Sequence, residues 1–296
     1  MKEIAIIGPT ASGKSDVALE LAAKYDAYIL SIDSLSIYKE INIASAKPAK
    51  DELNRVRHFG INEIYPNEPF DVSCVIAYYH KAKGAAADDG KNLIIVGGTS
   101  FYLKSLLTGI SELPPIDETL HLHVNALMQD SDAVYRELLS VDNAYMKNIS
   151  RHDSYRILKM MLIYKASGMA PSQWFQKHPA KPVIENLNVF EIDVSRDVLR
   201  ERIAQRTRNM VSRGLIDEVA YLEQKYHRAP KAMNAIGMVE VLEYLDGKIT
   251  KDVMLELIAT HTAQLAKRQQ TFNKSQFRNS KRFPLEALVK EVEIYM

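Results

Sequence analysis

The chain of 296 residues has a single cysteine, a single tryptophan and no long apolar segment. Because Cys74 has no second cysteine to pair with, an internal disulfide framework is excluded and a reducing compartment is expected. No apolar stretch approaches the roughly 18 residues of a membrane-spanning helix, and the N-terminus lacks the pattern of a cleavable signal. These absences predict a soluble, cytoplasmic protein.

Neither sign of charge is in excess, since 38 Lys and Arg side chains stand against 37 Asp and Glu side chains. A uniformly basic nucleic-acid coat and an acidic disordered tail are therefore excluded. The charges are unevenly distributed, however: residues 257–285 contain six basic side chains and no acidic one, whereas acidic side chains dominate residues 111–147. A local anionic partner is therefore compatible with the formal net charge of +1.

Short apolar runs that end in polar or glycine-rich turns predict parallel strands. These runs lie at residues 4–7, 28–32, 93–96 and 188–194. Helical patterns separate them, and this alternation is typical of βαβ units. The predicted fold class is therefore α/β, with a P-loop NTPase-like core in which helices flank a parallel β-sheet.

Residues 113–187 contain no candidate for a buried strand and show helical spacing instead. We therefore expect residues 113–187 to form an α-helical insertion domain, and residues 1–112 and 188–296 to form the core with its C-terminal helices. The part after residue 194 is expected to be mainly helical, with helical spacing at residues 197–225, 239–245 and 251–270.

A complete phosphate-binding motif, G-x-x-x-x-G-K-[ST], follows the first strand and is formed by Gly8, Pro9, Thr10, Ala11, Ser12, Gly13, Lys14 and Ser15. Its glycines let backbone N–H groups converge on phosphate oxygens, and Lys14 adds a mobile positive charge. The Ser15 hydroxyl is the candidate ligand for Mg²⁺. The motif predicts that a diphosphate or a nucleotide such as ATP binds here.

The motif alone does not identify the reaction. The base-reading Asn-Lys-x-Asp sequence of switch GTPases is absent, and Asp33 follows an apolar strand as a Walker-B acid would. Arg206 and Arg202 could stabilise a transferred phosphoryl group. A nucleotide-type P-loop kinase is therefore compatible with these residues.

Further motifs follow in order along the chain: Asp33-Ser34 with Tyr38, Ala46-Lys47-Pro48, Val96 to Tyr102, Arg206 with Met210, Gly214-Leu215, Glu218-Val219, Ala235-Ile236-Gly237 and Ala266 to Gln269. Together with the P-loop, they resemble the tRNA dimethylallyltransferases, also called isopentenyltransferases. The resemblance runs over almost the whole chain and is far more specific than the P-loop by itself.

The resemblance implies a prenyl transfer. The dimethylallyl group of dimethylallyl diphosphate would move to N6 of the adenosine just 3′ of the anticodon in tRNA, and diphosphate would be released. Mg²⁺ would be the cofactor, and the helical insertion would grip the anticodon stem-loop. A monomer on tRNA is the simplest expectation.

The resemblance also implies three catalytic residues, Asp33, Thr99 and Arg206. The exocyclic amine of adenine is a poor nucleophile, so a carboxylate that orients it and accepts its proton assists the reaction. We assign this role to Asp33, with a Mg²⁺ ligand as the alternative. Thr99 would assist near the leaving oxygen, and it could also cap the following helix. Arg206 would stabilise the departing diphosphate.

Residues that match RNA-contacting positions of the family form three groups. They are Asp33, Ser34, Leu35 and Ser36 with Thr99; His121, Tyr155, Arg156, Ile157, Leu158 and Lys159 in the insertion; and Asn234, Ala235, Ile236, Gly237, Met238 and Val239. Two of them depart from the family pattern, because Ser36 stands where glutamine is usual and His121 where arginine is usual. These departures bear on RNA selectivity.

Two other interpretations are weighed beside the kinase. A prenyltransferase acting on free adenine nucleotides would not need the long insertion or the basic residues 257–285. An RNA-binding protein with a regulatory nucleotide site would not need Asp33, Thr99 and Arg206 together.

Overall fold

The computed structural model describes residues 1–296, and a six-stranded sheet lies at its centre. All strand pairs are parallel, and the strand order is β3-β2-β4-β1-β5-β6. The strands are β1 (Glu3–Ile7), β2 (Ala27–Ser31), β3 (His58–Phe59), β4 (Asn92–Gly97), β5 (Asn188–Asp193) and β6 (Lys281–Pro284). The predicted α/β class with a parallel, P-loop-like core is confirmed.

The central strands are apolar because helices cover both faces of the sheet. Ile4, Ile6 and Ile94 are at most 1% exposed, and their neighbours along β1 and β4 are buried as well. Strand β1 pairs with β4 on one side and β5 on the other, so the P-loop that follows β1 begins in the middle of the sheet.

Fourteen α-helices surround or extend this sheet. They are α1 (Lys14–Lys24), α2 (Lys50–Arg55), α3 (Val72–Asp88), α4 (Ser100–Thr108), α5 (Glu118–Leu127), α6 (Ser131–Val141), α7 (Asn143–Met146), α8 (Ser154–Ser167), α9 (Pro171–Lys177), α10 (Arg196–Ser212), α11 (Leu215–Tyr226), α12 (Met238–Leu245), α13 (Lys251–Gln276) and α14 (Leu285–Glu293). None is long and apolar enough to cross a membrane.

The C-terminal part is mainly helical, as expected, and departs from the predicted helices in two places. Strand β6 pairs with β5 at the sheet edge, where its Lys-Arg-Phe-Pro sequence suits an exposed edge strand better than a buried one. The helical stretch predicted for residues 197–225 is broken at Gly214, whose φ of 97° ends one helix and begins the next.

The chain divides into two compact units, Met1–Leu107 with Ile184–Met296, and Thr108–Val183. The first unit contains the whole sheet, and the second contains α5 to α9 around its own apolar core. The backbone N–H of Ile184 donates to the carbonyl oxygen of Leu106 at 3.0 Å. The first unit therefore resumes directly beside the point where the chain leaves it.

Candidate active site

The carboxyl ends of β1, β2 and β4 lie side by side because these strands are neighbours in the parallel sheet. The P-loop, Asp33 and the Gly97–Thr99 turn follow these ends, as expected for ligand sites in such sheets. A cavity of about 470 Å³ opens there, and Lys14, Asp33, Thr99 and Arg206 all line it. The structure thus brings the three predicted catalytic residues and the P-loop lysine into one pocket.

The phosphate-binding loop has the backbone that its glycines allow. Gly13 adopts a φ of 90° at the N-terminus of α1, a conformation that residues with a side chain rarely adopt. The Ser12 N–H donates to the Pro9 carbonyl at 3.2 Å, and Lys14 Nζ donates to the same carbonyl at 3.2 Å. The Arg202 guanidinium, from α10, donates to the Ser12 carbonyl at 3.4 Å. The loop is therefore held by hydrogen bonds within it and by one from α10.

Asp33 uses only one of its carboxylate oxygens within the protein. Its Oδ1 accepts the N–H groups of Leu35 at 2.9 Å and Ser36 at 3.3 Å. These two bonds orient the side chain in the turn after β2. Because Oδ2 has no hydrogen-bond donor from the protein, it is available to accept a proton or to bind a cation.

Thr99 connects the ends of two neighbouring strands. Its hydroxyl oxygen accepts, at 3.3 Å, the N–H of Ser34, which lies in the turn after β2. The hydroxyl proton remains free to donate to a group in the cavity. The bond to Ser34 links the turns after β2 and β4, and the catalytic and helix-capping roles of Thr99 stay predictions.

The charges in the cavity favour an anion. Burial lowers the pKa of Lys14 from 10.5 to about 8, although the nearby Asp33 carboxylate opposes this shift. Burial also lowers the pKa of Arg206, and Asp33 again acts in the opposite direction. Two partly desolvated cations therefore face one carboxylate, and the net positive charge that results attracts a diphosphate.

An aromatic wall, formed by Tyr38, Phe70 and Tyr102, lines the same cavity. Phe70 lies between the two tyrosines, with ring centroids 6.2 Å from Tyr38 and 5.7 Å from Tyr102, both in edge-to-face geometry. Burial raises the pKa of Tyr102 to about 12, so its hydroxyl stays protonated. The sequence did not indicate the role of Phe70, which comes from a loop before α3.

The segment Asn42–Lys47 contributes to the lining of the site, and hydrogen bonds fix it at both ends. Glu218 on α11 accepts the backbone N–H groups of Asn42, Ile43 and Ala44 at 2.8–3.0 Å. The Lys47 ammonium is buried and donates to the Tyr38 carbonyl and to Asn62 Oδ1. Burial lowers the pKa of Lys47 to about 8. These contacts give a structural role to two motif positions, Lys47 and Glu218.

A smaller cavity of about 160 Å³ adjoins the first, with Lys14, Asp33 and Arg206 on both linings. It also contains Ser15, the candidate metal ligand, and Ser36. Ser36 is only 6% exposed. No cluster of three or more His, Cys, Asp or Glu side chains that could hold a metal by itself is present.

The candidate RNA-binding residues fall into both units. Asn234, Ala235 and Ile236 line the larger cavity, whereas Met238 is fully buried. In the second unit, His121 is exposed on α5 and pairs with Asn125 at 2.9 Å.

The start of α8 exposes a ring and one cation, with a second, half-buried cation nearby. Tyr155 is 65% exposed, Arg156 is exposed beside it, and Lys159 Nζ lies 5.9 Å from the Tyr155 ring centroid. Ile157 is fully buried in the core of that unit, so its side chain packs inward.

Gln269 on α13 is a cavity residue to which the sequence assigned no role. Its Oε1 accepts the N–H of Thr10 at 2.8 Å, and its Nε2 donates to the carbonyl of Gly98 at 2.9 Å. The signal that could have found it is its place in the Ala266 to Gln269 motif.

Comparison with known proteins gives consistent similarities. A sequence model of the family described as IPP transferase matches residues 36–276. The tRNA dimethylallyltransferase of Sulfurimonas denitrificans is 56% identical over 97% of this chain and 97% of its own length. The enzyme of the same name from Nautilia profundicola is 53% identical over 96% of each chain. These similarities favour the prenyltransferase interpretation over the kinase and over the prenylation of free nucleotides.

Solved structures are similar over the same extent. The full-length tRNA isopentenylpyrophosphate transferase of Bacillus halodurans has a TM-score of 0.71 and 26% identity, covering 99% of this chain and 95% of that one. A eukaryotic dimethylallyltransferase acting on tRNA has a TM-score of 0.85 at 22% identity, covering 99% of this chain and 78% of the other, which is a likeness of fold.

Proposed function

We propose that this chain, which belongs to the IPP transferase family of tRNA dimethylallyltransferases, prenylates tRNA. The dimethylallyl group of dimethylallyl diphosphate is transferred to N6 of the adenosine 3′-adjacent to the anticodon, and diphosphate is released. The observation that carries the proposal is the single cavity lined by Lys14, Asp33, Thr99 and Arg206. The protein acts as a cytoplasmic monomer with tRNA and dimethylallyl diphosphate as its partners.

The diphosphate binds at the P-loop. Lys14 and Arg206 supply positive charge, and the N-terminus of α1 with its loop N–H groups supplies aligned dipoles. As the allylic C–O bond breaks, negative charge accumulates on the departing diphosphate, and these groups stabilise it. Because both cations are partly desolvated, their interaction with this charge is stronger than in water.

Asp33 accepts the proton of the adenine amine. Its Oδ1 is fixed by the N–H groups of Leu35 and Ser36, which leaves Oδ2 free to hydrogen-bond to N6. As the new C–N bond forms, the proton leaves N6 for Oδ2. Thr99 donates its hydroxyl proton toward the oxygen that bridges the prenyl group and the diphosphate, while its hydroxyl oxygen accepts the N–H of Ser34.

Mg²⁺ fits the donor set present. Magnesium in phosphate sites typically takes one or two protein oxygens together with substrate phosphates and waters, rather than a full protein cage. The Ser15 hydroxyl and the Asp33 carboxylate line the same smaller cavity, and no closed cluster of ligands is present. Ser15 would hold the ion, which would neutralise charge on the leaving diphosphate.

The acceptor adenosine must leave the base stack to enter the cavity. Ser34, Leu35, Ser36 and the 234–239 segment are the proposed contacts near the reacting base. His121 and residues 155–159 are the proposed contacts on the helical insertion. The exposed Tyr155 ring on α8 suits stacking, and the exposed Arg156 and half-buried Lys159 beside it suit phosphate contacts.

A two-label assay tests the proposal. The full chain is incubated with unmodified tRNA and dimethylallyl diphosphate labelled in the prenyl group, and separately with ATP labelled in the γ-phosphate. We expect prenyl label in the adenosine 3′ of the anticodon and no phosphoryl transfer. Phosphoryl transfer without any prenylation of tRNA would reject the proposal, and prenylation of free adenosine monophosphate but not tRNA would assign a different acceptor.

A further inference from the structure

Gln269 makes two hydrogen bonds that join segments far apart in the chain. Its carboxamide oxygen accepts from Thr10, a residue 259 positions away, and its amide nitrogen donates to Gly98, 171 positions away. Thr10 belongs to the phosphate loop after β1, and Gly98 immediately precedes Thr99 after β4. One side chain from α13 therefore bridges the part of the site that binds phosphate and the part that carries the catalytic hydroxyl.

The space around this bridge admits little displacement. A methyl group added at Gly98 would lie 2.7 Å from Gln269 Nε2 and 3.6 Å from Lys14 Nζ. The glycine therefore allows the amide to approach the backbone closely, next to the P-loop lysine. A shorter side chain at position 269 could not reach both partners, and an apolar one would leave the Thr10 N–H and the Gly98 carbonyl without these bonds.

We propose that Gln269 is a positioning residue, which fixes the Thr99 hydroxyl relative to the diphosphate loop by holding Thr10 and Gly98 at a set separation. The two bonds use both polar atoms of the neutral amide, the oxygen as acceptor and the nitrogen as donor, and neither glutamate nor methionine reproduces the pair. Misplacement of a reacting group by about 1 Å lowers rates by about 100-fold. Loss of the bridge should therefore lower kcat more than it raises KM for the diphosphate substrate.

The first arm of the test measures hydrogen exchange and does not depend on activity. Gln269→Met keeps the length of the side chain but removes both bonds. Gly98→Ala keeps Gln269 but forces its amide away. In each variant, amide exchange should accelerate about 2- to 10-fold in the peptides covering residues 8–15 and 97–100 together, the range expected for one hydrogen bond.

The control is Gln270→Met, at the next residue of α13, which does not line the cavity. This substitution removes the hydrogen bond from the Gln270 side chain to the Val194 carbonyl. It should leave exchange in both peptides unchanged. If Gln269→Met accelerated amide exchange in only one of the two peptides, or in neither, the proposed bridge would be overturned.

The second arm is kinetic and rests on the proposed function. With tRNA and dimethylallyl diphosphate, we expect Gln269→Met to lower kcat about 10- to 100-fold with KM for the diphosphate changed much less. Thr99→Ala should then cost clearly less in the Gln269→Met background than in the wild type, and the same cycle with Gln270→Met should be additive.

Equal costs of Thr99→Ala in both backgrounds would refute positioning through Thr99. A wild-type protein without prenyl transfer would reject the proposed function, while the exchange arm would still decide whether Gln269 couples the two segments.

Discussion

Replacing Lys14 by methionine should remove activity and yet make the protein more stable. The ammonium of Lys14 is partly desolvated in the cavity, and burial lowers its pKa from 10.5 to about 8. A lowered pKa in a basic group means that the charged form is less favourable in the folded chain than in the unfolded chain. Methionine has a similar length and no charge, so it removes this penalty together with the diphosphate contact.

The size of the effect follows from the shift. Each pKa unit corresponds to about 1.4 kcal/mol, so a change from 10.5 to about 8 corresponds to roughly 3 kcal/mol against the charged form. The variant also loses the hydrogen bond from Nζ to the Pro9 carbonyl, which is worth about 1 kcal/mol. The net gain at pH 7 is therefore about 2 kcal/mol, or a rise in Tm of roughly 4–8 °C by the scaling for domains of 150–250 residues.

The gain should depend on pH with a defined sign. Because the folded pKa is the lower one, the wild type loses the penalty as the pH rises from about 8 toward 10.5. The difference in Tm between Lys14→Met and the wild type should therefore be largest at or below pH 7 and should shrink above pH 8. Calorimetric unfolding at pH 7, 8.5 and 10 measures it.

The control for this experiment is Lys2→Met, which removes an exposed lysine. It should change Tm little at any of the three pH values. A Lys14→Met variant that is no more stable than the wild type at pH 7, or one whose advantage is the same at pH 7 and pH 10, would contradict the electrostatic reasoning.

Three further substitutions test other parts of the structure. Asp33→Ala should lower single-turnover prenyl transfer about 10²- to 10⁴-fold at saturating substrate, as for loss of a general base; a collapse of diphosphate affinity with turnover preserved would instead identify a metal ligand. Glu218→Ala should reduce the free energy of unfolding by about 2–3 kcal/mol in urea titrations, because three backbone N–H groups lose a charged acceptor; Asp217→Ala, at an exposed neighbour, should not. Asn273→Leu should raise stability by about 1–2 kcal/mol in the same titrations, since both polar atoms of this fully buried side chain have no partner, and a loss of stability would refute this reasoning.

The strands with a strong apolar signal were predictable, and those without one were not. Strands β1, β4 and β5 contain runs of buried β-branched or aromatic residues, which periodicity detects. Strand β3 has only two residues, and β6 contains Lys281, Arg282 and a proline. Their place in the sheet depends on pairing with β2 and β5, which is a tertiary contact that no local pattern contains.

The candidate active site was predictable to the extent that its residues follow strand ends. Asp33 and Thr99 lie directly after β2 and β4, so the topology of a parallel sheet brings them together. Arg206 was identified through the family resemblance, since helical spacing alone gives an arginine no preferred role. Gln269 and Phe70 reach the cavity from distant helices and loops, and only the folded chain brings them there.

The hydrogen bond between Ile184 and Leu106 has a consequence for how the protein can diversify. Residues 108–183 leave and rejoin the first unit at neighbouring points, so they form an insertion between two adjacent positions of that unit. The entropy of closing a loop rises only slowly with its length. Helices can therefore be added to or removed from this insertion with little penalty to the sheet.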